Sequence, residues 1–224
     1  MLADKIDDFY LGGGTPLSLY YFQHRESLDL DFFTREFDKM RISQIIDLLS
    51  YKLKKRIELI SEQLRKERVK MSVFSLHIGR KESLKIDFIE DYLDFIKLPR
   101  RINGIKVLCL EDIYIRKIFA ITGTFQTKDS VGRNITAGGR HEAKDFYDLY
   151  CLSSIFMRLS KFSNKFCHQL TREALIRWFR TYKRLDIKSG LLELGLKKDI
   201  EYNDMERHFK KEIDKILEKE VNFI

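Results

Sequence analysis

Two short runs hold the residues whose types and spacing could do chemistry. Gly12, Gly13 and Gly14 lead into Thr15 and Pro16, and Asp29 and Asp31 stand two apart in Ser27-Leu-Asp-Leu-Asp-Phe-Phe33. Glycines let a ligand approach the backbone closely. Thr15 suits a helix N-cap and Pro16 a first helical position, and the open N–H groups of a helix start favour a phosphate. Asp29 and Asp31 alternate with Leu28, Leu30 and Phe32. They therefore share one face of a predicted strand, roughly 7 Å apart. Carboxylates so placed repel each other unless a cation lies between them. Hard oxygen ligands favour Mg²⁺, which usually takes one or two carboxylates together with substrate phosphates. An Asp-x-Asp pair alone would read as the polar face of a solvated strand. Behind a glycine turn and a helix start, it reads as a cation site beside a phosphate cradle.

Other elements must position these residues. Phe9-Tyr10-Leu11 is an apolar run that stops at the glycines, as a buried strand does. A helix follows Pro16 through Leu17, Leu19, Tyr20, Tyr21 and Phe22 and fades at Gln23-His24. Residues 69–78 alternate, Gly79-Arg-Lys-Glu-Ser makes a hairpin-like turn, and Leu84-Lys-Ile-Asp-Phe-Ile89 alternates again. Two antiparallel strands are expected there. Helical spacing runs through Ile42, Ile45, Ile46, Leu49 and Leu53, and Ile57–Ile60 reads as a short strand. A strand over 105–110 leads into a helix from Glu111 to about Ile121. Residues 122–139 hold four glycines and few apolar residues, and read as a long flexible loop. Beyond it the chain is helical over 142–159, 171–183 and 203–218. Trp178, on an amphipathic helix, reads as core.

The order Gly13-Gly-Thr15, helix, Arg25-x-Ser27-x-Asp29-x-Asp31 resembles the AbiEii/AbiGii-toxin type of nucleotidyltransferase, within the polymerase-β-like nucleotidyltransferase superfamily. Two later segments are similar to that family. Glu111-Asp-Ile-Tyr-Ile-Arg-Lys117-Ile-Phe-Ala120 resembles its lysine-presenting helix. Arg140-His-Glu-Ala-Lys-Asp-Phe-Tyr-Asp-Leu-Tyr150 resembles its Arg/Lys-Asp-x-x-Asp-Leu element. The resemblance spans roughly Phe9 to Leu152. It implies a third carboxylate on a neighbouring strand, for which Asp87 is the candidate. It implies that Asp29, Asp31 and Asp87 hold Mg²⁺ and carry catalysis. Gly13, Gly14, Thr15, Arg25, Ser27, Lys117, Lys144 and Asp145 are then implied to bind nucleotide, with Lys117 on phosphate and Asp145 orienting a lysine or the base. By themselves, Asp145 and Asp148, three apart beside Lys144, read as a surface salt-bridge cluster. The implied activity is transfer of a nucleoside monophosphate from an NTP to an RNA, such as tRNA, or to a protein. The implied setting is the toxin of a toxin–antitoxin pair with a cognate antitoxin. The other reading is a nucleotidyltransferase fold without turnover that binds nucleotide, RNA or a protein partner. A small-molecule nucleotidyltransferase of the antibiotic-modifying sort is a further rival.

Composition sets bounds around this. The 224 residues are 44% hydrophobic, enough for a sizeable core. No apolar run approaches the roughly 20 residues of a membrane helix, and no signal-peptide core is visible at the N-terminus. Cys109, Cys151 and Cys167 show no Cys-x-x-Cys spacing. They argue for a reducing cytoplasm and against both disulfides and zinc. The net charge of +8 suits a polyanionic partner. Its dense runs, Lys52–Arg56 and Arg65–Lys70, read as solvated helix ends or turns. The expected fold is α+β: a mixed-sheet nucleotidyltransferase domain flanked by helices over 1–120, a glycine-containing loop over 121–140, and a C-terminal helical bundle domain over 141–224.

Overall fold

The structure, a computed structural model, describes residues 6–79, 82–197 and 200–221. Arg80 and Lys81 of the expected hairpin turn lie outside the described residues. The chain divides into two compact units. One holds Ser27–Asp112 with the described residues up to Tyr21; the other holds Phe22–Glu26 and the described residues from Ile113 onward.

The first unit is a sheet with a helix packed on it. Its strands are β1 (Phe9–Gly12), β2 (Asp29–Thr34), β3 (Ile57–Gln63), β4 (Met71–His77), β5 (Ser83–Glu90), β6 (Arg100–Ile102) and β7 (Ile105–Val107), with helix α1 over Lys39–Leu53. The strand order is β3-β4-β5-β2-β1-β7-β6. Strand β2 runs antiparallel to β1 and parallel to β5, and β1 runs parallel to β7, so the sheet is mixed. Alternation divides its faces. Leu30, Phe32, Phe74, Ile86 and Phe88 pack with Ile42, Ile45 and Ile46 of α1 in the core. Each such side chain, fully buried, contributes about 1.5–3 kcal/mol. The same alternation turns Asp29, Asp31 and Asp87 to the other face. Helix α1 starts where the Asp38 carboxylate accepts the N–H groups of Met40 and Arg41, and ends at Lys54 in a left-handed conformation.

The second unit is mostly helical. Helix α2 (Leu110–Thr122) enters it, followed by a hairpin of β8 (Phe125–Lys128) and β9 (Asn134–Ala137). Then come α3 (Ala143–Cys151), α4 (Leu159–Phe166), α5 (Gln169–Thr181), α6 (Arg184–Glu193) and α7 (Tyr202–Val221). Phe146 sits among Trp178, Tyr182, Tyr202 and Phe209, with ring centroids 4.9–6.1 Å away. Trp178 is core, as its helical face implied.

The helix expected after Pro16 is present, π-helical over Leu17–Tyr21, and the chain leaves it at Gln23 with φ 51°. Two local expectations are corrected. Residues 122–139 are not a plain loop. Strands β8 and β9 pair from Phe125↔Ala137 to Lys128↔Asn134, and the Asp129 carboxylate closes their turn by accepting the N–H groups of Val131 and Arg133. Four-residue strands pay their backbone cost through ladder bonds rather than apolar side chains, so they leave little hydrophobic signal. Finally, the helix expected over 142–159 breaks. A π-helical turn over Leu152–Phe156 follows α3, Met157 is extended, and α4 starts afresh at Leu159.

Candidate active site

The acidic face of the first unit is set by register. Strand β2 pairs β5 with Asp29 opposite Lys85 and Asp31 opposite Asp87, while Asp31 faces Gly12 across β1. Cross-strand partners in a sheet hold their Cβ atoms about 5 Å apart. Asp31 and Asp87 are thus neighbours on one face, with Asp29 one pleat further along β2. Asp87 is buried, and Lys85 Nζ lies 2.6 Å from its Oδ2.

The glycine turn fits closely against this face. Gly13 has φ +69°, and a Cβ there would lie 1.8 Å from Asp31 Oδ2. Only a glycine leaves room for the Asp31 carboxylate beside the backbone. Thr15 differs from the expected cap. Its side chain is buried, its hydroxyl meets Ser27 Oγ at 2.8 Å, and it donates to the Asp29 carbonyl. Thr15 and Ser27 therefore tie the turn to the start of β2. Their hydroxyls bond within the scaffold in this structure.

Arg25, Lys117 and Asp145 belong to the second unit, where a buried ion network gathers them. Asp148 is its centre. Its Oδ1 lies 2.7 Å from His24 Nε2 and 2.7 Å from Arg25 Nε, and its Oδ2 accepts from Arg25 Nη2 at 2.9 Å and lies 2.7 Å from Lys117 Nζ. Lys117 also bonds Asp145 Oδ1 at 2.7 Å, and Arg140 Nη2 reaches the same carboxylate at 3.1 Å. Helical spacing explains the arrangement: residues three apart on α3 project from one face toward one lysine on α2. Segment 22–26 is held in the unit by a bridge from Arg25 to Leu196 and by the Lys197 N–H donating to the His24 carbonyl. Burial pushes the Asp148 carboxyl up, but Lys117 and Arg25, with a hydrogen bond from His24, outweigh it and hold the group well below the usual carboxylate range. Burial likewise opposes Asp145, and Lys117 and Arg140 prevail and lower it. For Lys117, desolvation pulls down while Asp148 and Asp145 pull harder, so its ammonium is stabilised.

Arg25 and Lys117 are both buried, at 4% and 5% exposure. Lys117 bonds the carboxylates of Asp145 and Asp148, and Arg25 bonds that of Asp148 and donates from Nη1 to the Glu26 carbonyl. These contacts hold both side chains in the fold of the second unit. Asp145 and Asp148 are fully buried rather than a surface cluster. Lys144 Nζ lies 3.3 Å from Glu142 Oε2. His24 and Lys85 stand in no motif that marks them in the sequence, and Asp148 reads there only as a surface partner of Asp145. The signal for Asp148 was its helical spacing from Asp145, since two acids on the face of an otherwise apolar helix need buried cations.

A divalent cation fits the first unit by donor chemistry. The carboxylates of Asp29, Asp31 and Asp87 are hard oxygen donors on one face, and Asp31 Oδ2 lies against the Gly13 backbone. Among the described residues, no group of three or more His, Cys, Asp or Glu side chains is gathered closely enough to hold a metal ion by itself. Among the described residues no helix is long and apolar enough to cross a membrane.

The fold is that of nucleotidyltransferases. A candidate nucleotidyltransferase from Helicobacter pylori superposes with a TM-score of 0.55 at 16% identity, covering 100% of this chain and 93% of that one. JHP933 from the same organism superposes with a TM-score of 0.53 at 16% identity, covering 99% and 91%. Comparison with proteins of curated function gives no match. The family described as nucleotidyl transferase AbiEii toxin, Type IV toxin–antitoxin system, matches residues 1–224. The chain belongs to the AbiEii family and is a nucleotidyltransferase.

Proposed function

We propose that this enzyme transfers a nucleoside monophosphate from an NTP to a hydroxyl of an RNA, such as tRNA, or of a protein, with Mg²⁺ held by Asp29, Asp31 and Asp87. The observation that carries this reading is the register pair Asp31–Asp87 beside Gly13, where a Cβ would strike Asp31. When bound, Mg²⁺ would supply charge neutralisation at the triphosphate. The N–H groups of Gly13 and Gly14 would donate to its phosphate oxygens. Asp87 would accept the proton of the attacking hydroxyl. The new bond joins that oxygen to the α-phosphorus, the α–β bridge breaks, and pyrophosphate leaves. Thr15 and Ser27 would keep the turn and β2 in register through this step.

The family description further supports a toxin with a cognate antitoxin. Each α-³²P-labelled NTP, incubated with Mg²⁺ and either total tRNA or cell protein, tests the reading. Label should appear in one acceptor and disappear with Asp29→Asn/Asp31→Asn. Nucleotide binding with no transfer to any acceptor would favour a binding protein instead.

A further inference from the structure

Lys85 stands on the acidic face without a role in the reaction described so far. It is the register partner of Asp29, two residues before Asp87 on β5. Side chains two apart on a strand leave the same face about 7 Å apart, a span that a lysine stem bridges. Its ammonium accordingly rests 2.6 Å from Asp87 Oδ2. The two partners differ in exposure: Lys85 is 49% exposed and Asp87 is buried. A half-exposed ion pair of this kind is weak and easily exchanged. Asp29, Asp31 and Asp87 meanwhile concentrate negative charge that must be offset before a polyphosphate can approach. Lys85 offsets part of it, and it lies on the face that carries the Gly13 turn.

We propose that Lys85 is a phosphate-contacting residue that rests on Asp87 until substrate arrives. On binding of a nucleoside triphosphate with its divalent cation, the ammonium leaves Asp87 for a phosphate oxygen. That movement releases an Asp87 oxygen to serve as a cation ligand. No covalent bond changes in the exchange. The inference rests on the proposed roles of Asp29, Asp31 and Asp87, and its two consequences have opposite signs. Removing the ammonium removes a competitor from Asp87 and so strengthens binding of the bare cation. The same removal takes a contact from the triphosphate and so weakens nucleotide binding.

The experiment is titration calorimetry on the full chain with Mn²⁺ alone, then with the Mg²⁺ complex of whichever NTP binds the wild type best. For Lys85→Gln, Mn²⁺ affinity should rise and nucleotide affinity should fall, each about fivefold, the size of one partly exposed ion pair. Lys85→Arg should restore nucleotide binding. A Lys85→Gln variant whose Mn²⁺ affinity is unchanged or lower, or whose nucleotide affinity is unchanged, would overturn the proposal. Asp31→Asn separates the two levels of the argument. Mn²⁺ binding that survives Asp31→Asn sinks the cation site itself. Binding that is lost in Asp31→Asn yet indifferent to Lys85→Gln sinks the role of Lys85 alone. Lys85→Met, which keeps the stem, guards against a packing effect and should follow Lys85→Gln in both titrations.

Discussion

Lys117 Nζ and Asp148 Oδ2 lie 2.7 Å apart in the interior of the second unit, where neither side chain reaches solvent appreciably. Asp148 also takes His24 and Arg25, so one carboxylate binds an early segment of the chain to helices from its later half. Two carboxylates, Asp145 and Asp148, face Lys117, Arg25 and Arg140. A carboxylate buried with this many charge-assisted bonds is satisfied, but each partner depends on it.

Asp148→Ala should therefore be severely destabilising. It leaves Lys117 and Arg25 buried without their main counter-ion, a loss of about 3–5 kcal/mol. Urea unfolding at neutral pH measures this directly. A loss below about 1 kcal/mol, the value of an exposed pair, would mean that the network is open to water.

The network also fixes a pH dependence. Asp145 and Asp148 are held below their ordinary values, so their stabilisation is present above the unfolded value, about pH 4, and is lost as pH falls toward the depressed folded values. Lys117 is raised. Its contribution is present below about pH 10.4 and is lost as pH rises through the folded value. The stability gap between wild type and Asp148→Asn should narrow on acidification below about pH 4. Unfolding curves at stepped pH read this gap, and a gap that widens on acidification would contradict the assignment.

Arg25→Lys separates a structural role from a ligand role. A lysine cannot reproduce the two-pronged bond to Asp148, so stability should fall by about 1–3 kcal/mol. NTP affinity in the folded variant should stay at the wild-type value. An NTP affinity that falls with stability unchanged would return Arg25 to the nucleotide.

Gly13→Ala combines two penalties. The left-handed backbone costs a non-glycine residue about 1–2 kcal/mol, and the added methyl must displace Asp31 Oδ2. Mn²⁺ affinity should fall together with the melting temperature. Gly79→Ala is the control, because a Cβ there meets nothing within 4 Å. Equal effects at the two sites would argue against a fitted cradle at Gly13.

Much of the first unit was legible because strand alternation has a two-residue period and its faces differ in kind. Leu30 and Phe32 against Asp29 and Asp31 state which face is core, and the same holds for Ile86 and Phe88 against Asp87. The antiparallel pairing of β4 with β5 followed from the turn between them. The mixed α+β class was legible too. Register across the sheet was not, since nothing local says that Asp31 will stand beside Asp87. The β8–β9 hairpin was hidden because its four-residue strands carry exposed side chains such as Phe125, and Asp129 does the work of a turn without an Asn-Gly signal. The helix break after Cys151 carries no proline or glycine to announce it. The buried network was least legible. Asp145, Asp148, Lys117 and Arg25 are charged residues, and charge alone argues for the surface until the fold brings opposite signs together.

The central claim is that Asp29, Asp31 and Asp87 hold the cation through which a triphosphate is bound. Calorimetric titration of NTP into wild type and into Asp29→Asn/Asp31→Asn, each with and without Mg²⁺, tests it most directly. The account predicts tight binding only for wild type with Mg²⁺ and loss of that metal dependence in the double variant. Metal-dependent binding that persists in the double variant would contradict it.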